Sequence, residues 1–108
     1  MVVALKPRIK PTPEEESALL DGCRRGDAAA WERLYLGYRQ EAARALSRVL
    51  GPCNELEDLV QTVFLRVHRR LHGFEERSRF STWLRGICTY VALEHIRKLG
   101  SHNIIITS

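Results

Sequence analysis

The 108-residue chain has three cysteines, Cys23, Cys53 and Cys88, and no C-x-x-C pair. An odd count with that spacing argues against a disulfide framework or a zinc knuckle, and fits a reducing cytoplasm. No apolar run approaches the length a bilayer span needs, so membrane insertion is not expected. The opening MVVALKPRIK lacks an apolar core long enough for a secretory signal. Gly-rich phosphate loops, H-E-x-x-H and nucleophile motifs are all missing, which leaves an enzyme reading without support and no cofactor expected. There is no internal repeat, and almost no period-two alternation that would announce strands.

What the chain has is helical patterning. An apolar share of 44% and a charged share of 28% describe a folded protein rather than a disordered one. At this length it is at most one small domain, held by a few aromatic and aliphatic anchors. Residues 1–11 read as a loose arm. Thr12-Pro13-Glu14-Glu15 then starts a first, short helix: Thr12 caps, Pro13 suits the first helical position, and Glu15 completes a capping box. That helix should end near Arg25, before Gly26.

Asp27 caps a longer second helix reaching about Leu50, with Trp31, Leu34, Tyr35, Tyr38, Ala42, Ala45, Leu46 and Val49 on one face. Trp31, Tyr35 and Tyr38 are read as core, and Gly51-Pro52 stops the helix. Asn54, with Glu57 as capping-box partner, starts a third helix whose buried stripe is Leu56, Leu59, Val60, Val63, Phe64, Val67 and Leu71. Gly73 ends it. After the loop Phe74–Phe80, Ser81 caps a fourth helix that runs to about Leu99, with Gly100 as its stop. Leu84, Ile87, Cys88 and Val91 mark its core-facing arc. The expected fold is all-α: a compact bundle of three main helices plus a short N-terminal helix, over residues 12–100. Residues 101–108 form a tail, and Ile104-Ile105-Ile106 reads as the start of a linker, as a segment packed back on the bundle, or as one seeking a partner strand.

Charge is unevenly spread. Residues 1–65 hold nine Lys/Arg and ten Asp/Glu, while residues 66–108 hold eight and three. A basic second half suits a polyanion partner; a solvated basic face is the plainer alternative. Single strands are held by cations along the phosphates and aromatic faces under the bases. Arg77, Arg79, Arg85, Arg97 and Lys98 are candidates for the first role, and Phe74, Phe80, Trp83 and Tyr90 for the second. Trp83, Tyr90 and Arg97 recur every seven residues at the edge of the core arc, with Gly86 between the aromatics. Trp83 also suits a wedge into the core. His68 and His72, four apart, can share a metal, but solvated surface histidines are the simpler account. On the outer face of the third helix, Leu65 stands among Asp58, Gln61 and Thr62, an apolar anchor with a polar rim suited to another helix.

At these residues the chain resembles a known family. Glu57-Asp58-Leu59-Val60-Gln61-Thr62-Val63-Phe64-Leu65-Arg66 is similar to the polymerase-binding helix of bacterial sigma factors of the extracytoplasmic-function (ECF) group. Phe80-Ser81-Thr82-Trp83-Leu84, with Ile87, Ala92-Leu93 and Arg97-Lys98, resembles that group's promoter-melting helix. Arg25-Gly26-Asp27 with Ala30-Trp31 is similar to its opening pattern. The resemblance implies domain 2 of such a factor, with two partners. Asp58, Gln61, Thr62 and Leu65 would meet the clamp helices of the β′ subunit of RNA polymerase core. Phe74, Arg77, Ser78, Arg79, Phe80, Trp83, Tyr90, Arg97 and Lys98 would take the −10 promoter element as single-stranded DNA, with the Phe74–Phe80 loop framing a pocket for a flipped base. An anti-sigma partner is implied as well, docking on the same Leu65 face and loop. Thr62 stands where the family often has an acid, and Tyr90 where it usually has Asn. Nothing matches the family's second domain, so the expectation is either a fragment ending in a linker or a protein of this domain alone. The rival reading is a sigma-like adaptor that binds polymerase or a regulator without reading DNA.

Overall fold

The computed structural model describes residues 10–107, with side chains described as far as Gly100. Four α-helices follow one another: α1 (Pro13–Arg24), α2 (Ala28–Leu50), α3 (Leu56–Arg70) and α4 (Phe80–Thr107), with a 3-10 turn at Leu71–Gly73 after α3. No strand occurs among the described residues, as the helical periodicity predicts. The chain divides after Arg39, within α2, into two compact units, residues 1–39 and 40–108.

In the first unit the local signals act as read. The Thr12 hydroxyl accepts from the Glu15 backbone N–H, and the Glu15 carboxylate accepts from that of Thr12, closing the capping box. Asp27 Oδ1 accepts from the Ala29 N–H at 3.0 Å and starts α2. Gly26 (φ 83°) and Gly51 (φ 71°) carry the left-handed turns that end α1 and α2, a conformation that costs glycine nothing. Leu20, Cys23, Ala30, Leu34 and Tyr38 are buried, while Trp31 and Tyr35 are only half-buried. Buried Glu16 accepts a 2.9 Å hydrogen bond from the Tyr38 hydroxyl, which answers the cost of taking a carboxylate out of water. The arm expected over residues 1–11 lies mostly outside the described residues. Its last two are engaged, however: Pro11 is buried, and the Lys10 ammonium sits 5.8 Å from the Tyr38 ring centre.

In the second unit, α4 buries Phe80, Leu84, Ile87, Cys88, Val91 and Ala92; α3 and its turn bury Val60, Val63, Val67 and Leu71; the end of α2 adds Ala42, Ala45 and Leu46. Each fully buried valine, leucine, isoleucine or phenylalanine among them contributes roughly 1.5–3 kcal/mol.

Four expected boundaries are corrected. Asn54 does not cap α3: the flanking residue is Glu55, and no side chain caps it. The stretch before α3 is a turn, with the Leu56 N–H reaching the Cys53 carbonyl at 3.4 Å, so Asn54 sits too early to meet the helix's free donors. α3 itself stops at Arg70, and Gly73 ends the 3-10 turn instead. Ser81 does not cap α4. Burial of Phe80 draws the helix start forward, the N–H groups of Thr82 and Trp83 donate to the Arg79 carbonyl, and the Ser81 hydroxyl is free to donate to Glu41 Oε1 at 3.2 Å. Gly100 does not stop α4, which continues to Thr107. No left-handed φ occurs at Gly100, and an interior glycine costs only about 1 kcal/mol. Ile104, Ile105 and Ile106 therefore lie on helical backbone; their side chains fall outside the described residues. Among the described residues no helix is long and apolar enough to cross a membrane.

The thiols follow from the packing. Burial pushes Cys23 up to about 11, with help from Asp27, and pushes Cys88 up to about 12, with Glu41 adding to it. The thiolate is the reactive form. A maleimide at neutral pH should therefore label half-buried Cys53 alone in the native chain and all three in denaturant, counted by mass spectrometry. Rapid native labelling of Cys88 would contradict the packing described.

Candidate nucleic-acid interface

The loop between the 3-10 turn and α4 rests on an aromatic cluster. Phe74 and Trp83 stack with centroids 4.7 Å apart and planes at 26°, and Phe80 meets Phe74 edge-on at 6.1 Å and Trp83 at 5.8 Å. Phe80 is 0% exposed and Phe74 is also buried. Both were expected to offer ring faces to bases. They found the loop from beneath instead, because a seven-residue loop over a small core must be anchored at both ends by something apolar. Trp83 is half-buried, wedged against Phe74 on one face.

On this base the polar part of the loop is held outward. Glu76 takes a left-handed φ of 57°, uncommon for a residue with a side chain, and turns the chain there. Arg77 pairs with Glu75 at 2.9 Å with both side chains well exposed. Such a pair contributes little to stability, but it partly neutralises the Arg77 charge. The Ser78 hydroxyl donates to the Arg79 carbonyl at 3.2 Å. Gly73, Phe74, Glu75, Arg77, Ser78 and Trp83 line a concavity of about 200 Å³.

Along α4, Arg85, Arg97 and Lys98 are exposed. So is Tyr90, at 47%. Gly86, exposed between Trp83 and Tyr90, leaves the helix surface bare at that point, where an added Cβ would meet nothing. Sequence reasoning missed what surrounds Tyr90. The Arg66 guanidinium of α3 lies 5.4 Å from its ring centre and pairs with Glu94 of α4 at 2.6 Å. That hydrogen bond is the main cause holding the Glu94 carboxyl below the usual range, with Arg66 and Lys98 charge and a Tyr90 hydrogen bond adding to it. The depressed value means the pair is intact above the ordinary glutamate range and is lost as pH falls through the lowered value. Arg66 carries no periodicity signal of its own, and its partners Tyr90 and Glu94 lie 24 and 28 positions away.

On the outer face of α3, Asp58, Gln61 and Leu65 share one stripe, all exposed, with Leu65 at 62%. Thr62 is half-buried, and its hydroxyl donates back to the Asp58 carbonyl at 3.1 Å. It has less to offer a partner than its neighbours. His68 and His72 are exposed and sit on different elements, α3 and the 3-10 turn. The histidine with candidate metal-ligating neighbours among the described residues is His95, beside Cys53 and Glu55.

Comparison with known proteins agrees with this arrangement. Residues 34–102 match the family model for sigma-70 region 2. The chain is 31% identical over 89 residues to the RNA polymerase sigma-H factor of Pseudomonas aeruginosa, covering 82% of this chain and 46% of that protein. It is 38% identical over 68 residues to the ECF RNA polymerase sigma factor SigX of Bacillus subtilis, covering 63% and 35%. With the ECF RNA polymerase sigma-E factor of Escherichia coli the identity is 30% over 85 residues, covering 79% and 44%. The chain thus spans less than half the length of these relatives. A solved structure of an engineered region 2 of sigmaE, determined by NMR in complex with GTAAAA, superposes with a TM-score of 0.74 at 26% identity, covering 94% of this chain and 97% of that one. With more than half of its residues matched by the family model and sigma factors among its relatives, the chain belongs to the sigma-70 region 2 family.

Proposed function

We propose that this chain is a transcription initiation module without catalysis of its own. It binds core RNA polymerase through the β′ clamp helices and takes the −10 element as melted, non-template single-stranded DNA. The observation that carries the reading is the separation of two chemically distinct faces on adjacent helices. The α3 face offers one exposed leucine rimmed by Asp58 and Gln61, which suits a helical protein partner. The loop and α4 offer exposed Arg79, Arg85, Arg97 and Lys98 with half-exposed Tyr90 and Trp83, which suits phosphates and bases. The solved neighbour that holds GTAAAA supports the second half of the reading.

In this mechanism the cations draw in the strand, and the concavity beside Trp83 receives one base out of the stack. Tyr90 offers a ring face, so it favours stacking over reading a base edge. The work is done in the cytoplasm, and an anti-sigma partner would silence it by covering the Leu65 face and the loop.

The test separates the faces. Asp58→Ala and Gln61→Ala should each weaken binding to a β′ clamp-helix fragment about five- to tenfold, the scale of losing an interface contact worth somewhat over 1 kcal/mol. Neither should change oligonucleotide binding. Arg79→Ala and Tyr90→Ala should do the reverse, Tyr90 by about 1–3 kcal/mol if a base stacks there. Four variants behaving alike in both assays would defeat the reading.

One observation favours the adaptor alternative. The Arg66 guanidinium lies over the Tyr90 ring, and the Tyr90 hydroxyl helps hold the Glu94 carboxyl down, so Tyr90 already has protein partners. An adaptor would bind the clamp fragment and show no salt-sensitive affinity for single strands.

A further inference from the structure

We infer that Cys53, Glu55 and His95 form a binding site for a thiophilic divalent metal ion of the zinc class, independent of the polymerase and DNA faces. Cys53 lies in the turn after α2, Glu55 flanks the start of α3, and His95 comes from α4. Their ligand atoms all lie within 4.8 Å of one another. The Cys53 thiol donates to Glu55 Oε1 at 3.4 Å, and His95 Nε2 stands 3.8 Å from the same oxygen. Zinc bonds of about 2.3 Å to sulfur and about 2.0–2.2 Å to nitrogen or oxygen, at tetrahedral angles, put sulfur and oxygen about 3.6 Å apart and nitrogen and oxygen about 3.4 Å apart. The sulfur–oxygen and nitrogen–oxygen separations differ from these by a few tenths of an ångström, and the sulfur–nitrogen separation lies within 4.8 Å.

The donor set is also chemically selective. Thiolate and imidazole together favour zinc and its neighbours over magnesium or calcium, which take oxygen ligands. Binding replaces the Cys53 thiol proton, which leaves to solvent, and the thiolate and carboxylate balance the charge of the ion. Three protein ligands leave a fourth position open. The three side chains also line a concavity of about 330 Å³ together with Val49, Leu50, Pro52, Asn54, Ile96 and Leu99. Several of these residues are themselves exposed, so solvent reaches the site and a water completes the tetrahedron. An occupied site fastens the α2–α3 turn to α4 only two residues before Arg97. Contiguous motifs do not announce such a site, because two ligands are neighbours in sequence and the third is forty residues away.

Cobalt(II) is the probe, because a cobalt–thiolate bond absorbs in the near ultraviolet and tetrahedral cobalt in the red. The reduced, metal-stripped 108-residue chain should bind one equivalent with both bands, and zinc should displace it. Cys53→Ser should abolish the near-ultraviolet band. His95→Asn should weaken binding at least roughly a hundredfold, since loss of even an outer-shell partner costs about 10–100-fold. The double variant His68→Asn/His72→Asn should bind as the parent does. All these side chains are exposed or half-buried, so circular dichroism should show native helix throughout. Absence of a thiolate band in the parent overturns the site, as does parental affinity in Cys53→Ser or His95→Asn, or loss of binding in the His68/His72 double variant.

Discussion

Phe80→Ala is expected to cost about 3–5 kcal/mol of stability, the range for truncating a wholly buried phenylalanine. Small domains have about 5–15 kcal/mol in total, so the variant should lose a large share of its stability and unfold at a much lower urea concentration. The ring sits at 0% exposure among Phe74, Trp83 and the α4 core. Nothing nearby can collapse into its space without drawing the loop inward. Urea unfolding followed by circular dichroism gives the loss directly, and Trp83 fluorescence reports on the cluster. Leu65→Ala, equally apolar but 62% exposed, should move stability by no more than about 0.5 kcal/mol. A loss under about 1 kcal/mol for Phe80→Ala would mean the loop is not founded on this ring.

The second large effect is on single-strand affinity and its dependence on salt. The loop and α4 present five cations, Arg77, Arg79, Arg85, Arg97 and Lys98, all exposed. Each phosphate neutralised on a single strand contributes about −0.7 to the slope of log affinity against log salt. Five contacts give a slope of about −3.5, and four give about −2.8 if Glu75 keeps Arg77 for itself. Raising salt from about 50 to about 200 mM should then weaken binding to a −10-like oligonucleotide by roughly 50- to 130-fold. Arg79→Ala should reduce the steepness by about 0.7, and Tyr90→Ala should weaken binding without changing it. A flat salt response, or no binding alongside intact clamp-fragment binding, would hand the case to the adaptor reading.

How far the sequence could be read depended on how local each determinant was. The Thr12–Glu15 capping box and the Asp27 cap involve neighbours within three residues, and both form as expected. The arc of Leu84, Ile87, Cys88 and Val91 is buried because helical spacing leaves it no alternative. Asn54, Ser81 and Gly100 misled for a shared reason. A cap is decided by where the helix begins or ends, and tertiary demands such as burial of Phe80 set that point. Phe74 and Phe80 were ambiguous in kind, since an aromatic in a polar loop serves equally as an anchor or as a platform. The Arg66–Glu94 pair and the Cys53–Glu55–His95 cluster were beyond sequence reading altogether, because each joins residues 28 or more positions apart. The exposed stripe of Asp58, Gln61 and Leu65 was legible as a surface, and its partner rests on the proposal.

Arg66 follows Leu65 directly on α3, yet its guanidinium lies over a ring on α4 and its charge is matched by Glu94 there. The two faces therefore share a side chain's worth of common structure. A protein that settles on α3 and shifts Arg66 alters how Tyr90 is presented to a strand. Thermodynamic reciprocity then requires that a strand seated on Tyr90 change the affinity of the protein partner by the same factor. On the proposed function, the contacts among Arg66, Tyr90 and Glu94 would make each partner an effector of the other.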